Sequence, residues 1–146
     1  MPPAWPEDEY LLQLGMVVYS VASIEGLLIF DLPRMPATIE GLTPKHLAGK
    51  TTTAIGKRLL TLAPSIGDRK WREYVVRGGE ALVDLGPKRN SILHSRPATV
   101  DGEQRLHRWR LEPTEIMCIS PTHLVGLLNE IETHRQALNL LRPRLS

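Results

Sequence analysis

Cysteine is nearly absent from this chain: Cys118 is the single one among 146 residues, which excludes an internal disulfide. The five histidines, His46, His94, His107, His123 and His134, are scattered, without the short Cys and His spacings that usually hold zinc. No metal and no cofactor is therefore expected. A strong charge of one sign is missing as well. The chain sets 18 Lys and Arg against 16 Asp and Glu, and a net charge of +2 announces neither a nucleic-acid binder nor a membrane-surface protein. Any basic signal must come from local clustering. The apolar run Tyr10 to Phe30 follows Glu7, Asp8 and Glu9 rather than Lys or Arg, and contains Gln13, Ser20, Ser23 and Glu25. Those residues fit neither a signal peptide nor a membrane span. No internal repeat or low-complexity segment is visible, and a cytoplasmic protein without a membrane segment is expected.

What is present is helical periodicity over a length suited to one domain, 1–146. Pro2, Pro3 and Pro6 make an extended lead-in, and the acidic trio complements the dipole of a first helix from about Pro6 to Phe30. Its apolar positions cover more than one stripe, which predicts burial of two faces, one against its own core and one against a partner. Thr43 and Pro44 start a second helix that continues to about Leu62. Asp68 caps a third, in which Trp71, Tyr74, Val75, Leu82 and Leu85 recur at helical spacing. At Gly86-Pro87 the lost hydrogen bond, at about 3 kcal/mol, predicts a kink or a restart, so that "PKRNSILHS" forms a short separate helix. Asp101-Gly102 is a two-residue hairpin turn, and Ser120-Pro121 opens a last helix striped with Leu124, Leu127, Leu128, Ile131, Leu138 and Leu141. The expected fold is all-α: an antiparallel up-and-down four-helix bundle with a short motif helix and a small β-hairpin before the last helix.

The chemistry concentrates in "GPKRNSILHSRP", Gly86 to Pro97. On a helix Asn90 and His94 stand one turn apart on the same face, whereas Arg89 lies roughly 140° around from His94. Convergence of Arg89 and His94 on one phosphate then needs the reach of the Arg side chain, a distorted helix, or a second copy of the chain. Between Lys88 and Arg110 lie Lys88, Arg89, Arg96, Arg105, Arg108 and Arg110, opposed by Asp101 and Glu103 alone. In a strand, Arg105, His107 and Trp109 alternate onto one face and could stack bases beside phosphate contacts. Glu25, within the apolar first helix, is either a buried partner that positions Arg89 or another cation, or a partly exposed residue of an interface.

The Arg89-Asn90, Ser91-Ile92-Leu93, His94 sequence, with a small Ser95 after the His and a position late among the helices, resembles the Arg, four residues, His signature of the HEPN superfamily. That resemblance implies a helical nucleotide-binding bundle and a symmetric homodimer whose two motifs face one cleft. In catalytic members it implies a metal-independent endoribonuclease of toxin or defence type. Arg89, Asn90 and His94 are then the catalytic residues. Lys88, Ser95, Arg96, Arg105, His107 and Trp109 are the expected substrate contacts, and Glu25 stands behind Arg89. A histidine with an ordinary pKa near ~6.5 can take the proton of a ribose 2′-hydroxyl at neutral pH. A guanidinium can bind the scissile phosphate and stabilise the charge that grows on its oxygens. Arg96 stands where some family toxins have a tyrosine, so no tyrosine-directed modification is implied. A protein antitoxin is a further partner of such toxins.

Two other readings use the same residues. One is a non-catalytic module on this fold that binds a nucleotide or RNA. The other is a helical interaction protein whose wide apolar first helix is simply a dimer surface and in which Arg89 has no functional role.

Overall fold

The computed structural model describes residues 5–111 and 114–144. The chain runs α1 (Asp8–Asp31), α2 (Pro44–Leu47), α3 (Thr52–Leu62), α4 (Arg69–Leu93), β1 (Arg96–Val100), β2 (Glu103–Leu111), β3 (Thr114–Ile119) and α5 (Pro121–Leu141), with short 3-10 turns at Leu32–Arg34 and Ala63–Ser65. α1 begins with Asp8 and Glu9 in its first turn, where negative charge suits the exposed N–H groups. It buries Tyr10, Val17, Val21, Ile24 and Leu28, a single stripe at spacings of three, four and seven. Leu11, Leu12, Met16, Val18, Tyr19 and Phe30 on the same helix stay exposed. By length and composition the stretch Asp8–Arg34 could cross a membrane, but the inner stripe belongs to the core shared with α4 and α5.

The expected second helix is two. Its first turn, α2, ends at Leu47, and Thr51 opens α3 by accepting the Ala54 N–H at 3.2 Å. That capping oxygen gives the chain a new start after Gly49-Lys50, which periodicity alone passes over.

The expected break at Gly86-Pro87 does not occur. α4 continues for 25 residues through Pro87 to Leu93, so the motif is its last two turns rather than a separate helix. Leu82, Leu85 and Ile92 are buried on either side of the proline. Each contributes roughly 1.5–3 kcal/mol, which together outweighs about 3 kcal/mol for one missing hydrogen bond. Gly86 has a different purpose from helix breaking: a Cβ there would collide with Thr53 of α3. At Gly56 and Gly79 the two helices come close enough for an added Cβ on Gly56 to sit 2.9 Å from the Gly79 carbonyl oxygen.

The contacts also set the directions. α3 runs antiparallel to α4, since Thr53 meets Gly86 while Leu60 meets Gly79. Tyr10, at the start of α1, bonds the Ile119 carbonyl just before α5, and Asp31, at its end, pairs with Arg142 just after α5. α1 and α5 are therefore parallel, and α4 is antiparallel to both. An up-and-down bundle would alternate. Here residues 32–51 carry the chain back along the molecule before α3 begins, so α1, α3 and α5 share one direction.

The hairpin forms at Asp101-Gly102, both with positive φ (52° and 77°), and joins β1 to β2 in the register Val100↔Glu103 through Arg96↔His107. A third strand, which the sequence reading does not include, pairs β3 with β2 from Leu106↔Ile119 to Leu111↔Thr114. The all-α expectation is thus corrected: among the described residues five helices, one of them a single turn, accompany a three-stranded antiparallel sheet in the order β1-β2-β3. β3 is short, and its inward-facing side chains, buried Ile119 and half-buried Met117, are too few to announce a strand. At its far end α5 begins as expected, with Ser120 accepting the His123 N–H at 3.0 Å and Pro121 following the cap. Tyr10 holds the sheet to the helices, donating to the Ile119 carbonyl at 2.6 Å and accepting from the Leu106 N–H at 2.9 Å.

Candidate nucleic-acid site

α4 ends where the sheet begins. His94 is the residue after the last helical turn, and its N–H donates to the Asn90 carbonyl at 2.9 Å, preserving the predicted one-turn relation between the two. Ser95 then donates its hydroxyl to the Ser91 carbonyl at 2.6 Å, and Arg96 enters β1. The turn leaves His94 exposed, with no hydrogen-bond or ion-pair partner for its imidazole among the described residues.

His94, Arg96, Arg108 and Trp109 line a shallow cavity of about 320 Å³. β1 starts at the Arg96↔His107 pair, so β2 from Arg108 onward extends beyond its neighbour on that side. The overhang explains why Arg108 and Trp109, which alternate across the strand, both reach one hollow. Arg108 Nη1 donates to the His94 carbonyl at 3.3 Å, bracing the end of α4, and Trp109 is 58% exposed. Arg96 is exposed, and its guanidinium has no partner among the described residues.

Arg89 lies elsewhere. Its Nη1 stands 3.7 Å from Glu25 Oε1 on α1, with both side chains less than a fifth exposed, and its Nη2 donates to Asn90 Oδ1 at 3.2 Å. Glu25 also accepts the hydroxyl of Thr52, a buried residue at the start of α3. Arg89 Nε is buried without a hydrogen-bond partner among the described residues. Glu25 thus links Arg89 of α4 to the start of α3. Within one chain, however, Arg89 faces α1 and is not among the residues that line the His94 cavity.

The remaining expected contacts divide. Trp109 and Arg96 join His94, while Ser95 lines an open apolar groove with Leu14, Gly15, Val18, Tyr19, Ala22, Ile92, Leu93 and Leu106. Lys88 points to α5 and bonds Asp84 at 3.0 Å and Glu130 at 3.1 Å. Burial opposes the Lys88 charge, but these two carboxylates hold its pKa above the ordinary value. Arg105 and His107 are each 8% exposed rather than open to a ligand. Arg105 clamps Glu7 with two hydrogen bonds of 2.9 and 2.8 Å and lies 4.7 Å over the Tyr10 ring, fastening β2 to the start of α1. The hydrogen bond from Arg105 keeps the Glu7 carboxyl below its usual pKa. His107 Nε2 is buried without a hydrogen-bond partner among the described residues. The Arg110 side chain lies outside the described residues.

Two features escape the sequence reading. Arg108 belongs to the basic cluster but not to the expected contacts, because strict alternation puts it on the face opposite Trp109. His134 has no role in that reading, yet its Nε2 lies 2.8 Å from Asp84 Oδ2 and its Nδ1 2.8 Å from Arg77 Nη1. A guanidinium can only donate, so Nδ1 accepts and Nε2 carries the proton. Burial raises the Asp84 pKa, but the His134 and Lys88 hydrogen bonds prevail and lower it. Among the described residues no three His, Cys, Asp or Glu side chains converge as a metal site would require. Compared with family models, with curated proteins and with solved structures, the chain matches none.

Proposed function

We propose that this protein is a dimeric, metal-independent endoribonuclease of toxin or defence type that works in the cytoplasm, with Arg89 and His94 acting on an RNA phosphate. The reading is carried by His94, an exposed imidazole without a partner among the described residues, at the rim of a hollow whose other lining includes two arginines. His94 takes the proton from a ribose 2′-hydroxyl. The 2′-oxygen then bonds to phosphorus as the bond to the 5′-oxygen breaks, the leaving oxygen takes a proton from water, and the resulting hydroxide takes the proton that His94 had accepted. The products are a 2′,3′-cyclic phosphate and a 5′-hydroxyl, and DNA is inert because it lacks the 2′-hydroxyl. Arg89, held by Glu25 and Asn90, supplies fixed positive charge. Because it does not line the His94 cavity of its own chain, its action on phosphate is assigned to a cleft formed with a second copy. An antitoxin protein is the further partner class that this reading implies.

One observation favours a second reading, a non-catalytic RNA- or nucleotide-binding module on the same fold. Glu25 and Asn90 already occupy Arg89 within the chain, as a structural ion pair would. Incubation with labelled single-stranded RNA in EDTA separates the two. The nuclease reading expects cyclic-phosphate ends from the wild type, with His94→Ala slower by about 10²–10⁴-fold, as for loss of a general base, and Arg89→Ala by about 10²–10³-fold, as for loss of one charge-stabilising donor. Bound but intact RNA after long incubation would establish the binding module instead.

A further inference from the structure

The overhang of β2 makes a site that the Arg-His motif does not account for. Trp109 presents an open indole face at the sheet edge, beside two guanidinium groups and the His94 ring. Among the described residues the Arg96 guanidinium has no partner and Arg108 commits a single N–H to the His94 carbonyl, leaving four of its five donors. No carboxylate lines the hollow among the described residues. Its volume, about 320 Å³, lies at the low end for a small-ligand pocket, which suits one nucleotide unit rather than a folded surface. An aromatic face stacks on any base, and a guanidinium pair beside it matches the phosphate that follows that base.

We infer that the hollow lined by His94, Arg96, Arg108 and Trp109 is a subsite for one unstacked nucleobase and its adjacent phosphate, and that the ligand is therefore single-stranded RNA. This rests on the RNA reading above and adds the strand state. A base inside a duplex has both faces covered by its neighbours, and the deep major groove of an A-form helix does not admit side chains. Trp109 can stack only on a base that has left that arrangement. Arg108 ties the subsite to the motif, because the same guanidinium that meets phosphate braces the carbonyl of His94. A base on Trp109 thus places its flanking phosphate next to the imidazole.

The test separates binding from cutting by using a 2′-O-methyl oligoribonucleotide, which cannot be cleaved through its 2′-oxygen. Its fluorescence anisotropy is followed as a single strand and as a duplex, at several salt concentrations. The expected result is binding of the single strand at least tenfold tighter than the duplex. Trp109→Ala should lose about tenfold on the single strand with an unchanged salt slope, and Trp109→Phe should recover most of that loss. Arg96→Ala and Arg108→Ala should each flatten the salt slope, by about 0.7 for each phosphate of the single strand that is no longer neutralised. Equal affinity for strand and duplex, or wild-type affinity in Trp109→Ala, would overturn the subsite. If unmodified RNA is nonetheless cut by the wild type and not by His94→Ala, the nuclease reading survives that failure. If the wild type neither binds nor cuts RNA, both fall together. Trp109 is exposed, so its substitution should leave folding intact, which circular dichroism checks.

Discussion

Asp31 is fully buried, yet it stays ionised because four hydrogen bonds converge on it. Tyr74 donates at 2.6 Å, Arg34 at 2.8 Å, and Arg142 twice, at 2.8 and 2.7 Å. Burial alone would raise the Asp31 pKa, but these donors hold it below the ordinary carboxylate value, while burial and the neighbouring carboxylate push the Tyr74 hydroxyl up. The side chain thereby ties together the end of α1, the first turns of α4 and the chain just after α5. Asp31→Asn leaves two guanidinium groups without their counter-charge and should cost about 3 kcal/mol at pH 7, the low end for a broken buried pair because Arg142 is partly solvated. A lowered folded-state pKa means that the ionic contribution is complete above the unfolded value near ~4 and disappears as pH falls through the folded one. The gap between wild type and Asp31→Asn should therefore be wide at pH 7 and should shrink at pH 3, as read from urea midpoints. An equal gap at both pH values would mean that the charge of Asp31 is not what stabilises the clasp.

Among the elements, α4 shows most clearly why some of this fold was legible and some was not. Its start was written in local chemistry: Asp68 accepts the Trp71 N–H at 3.0 Å, as its position before the apolar pattern implied. The same holds for the Ser120 cap and the Asp101-Gly102 turn, each of which depends on a few adjacent residues. The passage through Pro87 depends instead on partners distant in sequence, namely Thr53 against Gly86 and the burial of Leu85 and Ile92. Local propensity sees the cost of the proline but not what offsets it. Pro87→Ala should therefore restore a backbone hydrogen bond and raise stability by up to about 3 kcal/mol, with no loss of helical circular dichroism. A lower melting temperature for this variant would show that the proline fits a local bend that α4 requires. For the site, the same division applies. The one-turn relation of Asn90 and His94 follows from helix geometry, and the pairing of Glu25 with Arg89 follows from the need to neutralise a charge on an apolar helix. The inward anchoring of Arg105 depends on where the start of α1 lies, which no spacing within β2 reveals.

At the scale of the whole molecule, one face remains without a protein partner in this chain among the described residues. Leu11, Leu12, Met16, Val18 and Tyr19 are exposed on α1, and Leu93 is exposed at the end of α4 beside them. An open apolar groove runs between these two elements, lined by Gly15, Val18, Tyr19, Ala22, Ile92 and Leu93. The first helix thus buries one stripe against the core and leaves a second exposed. In the dimer proposed above a second copy of the chain would cover this face, since Arg89 does not line the His94 cavity of its own chain. The groove borders the motif end of α4, so copies joined there would bring their two His94 cavities near one another. If the chain dimerises as proposed, Tyr19→Glu, which places a carboxylate on the most exposed large apolar side chain of the face, should make it monomeric in sedimentation equilibrium and remove the dependence of its unfolding midpoint on protein concentration. If cleavage requires both copies, this variant should lose activity together with dimerisation, and raising its concentration should recover both in parallel. A Tyr19→Glu protein that is monomeric at every concentration and cuts RNA at the wild-type rate would show that each chain carries a complete site, with Arg89 reaching the phosphate of its own His94.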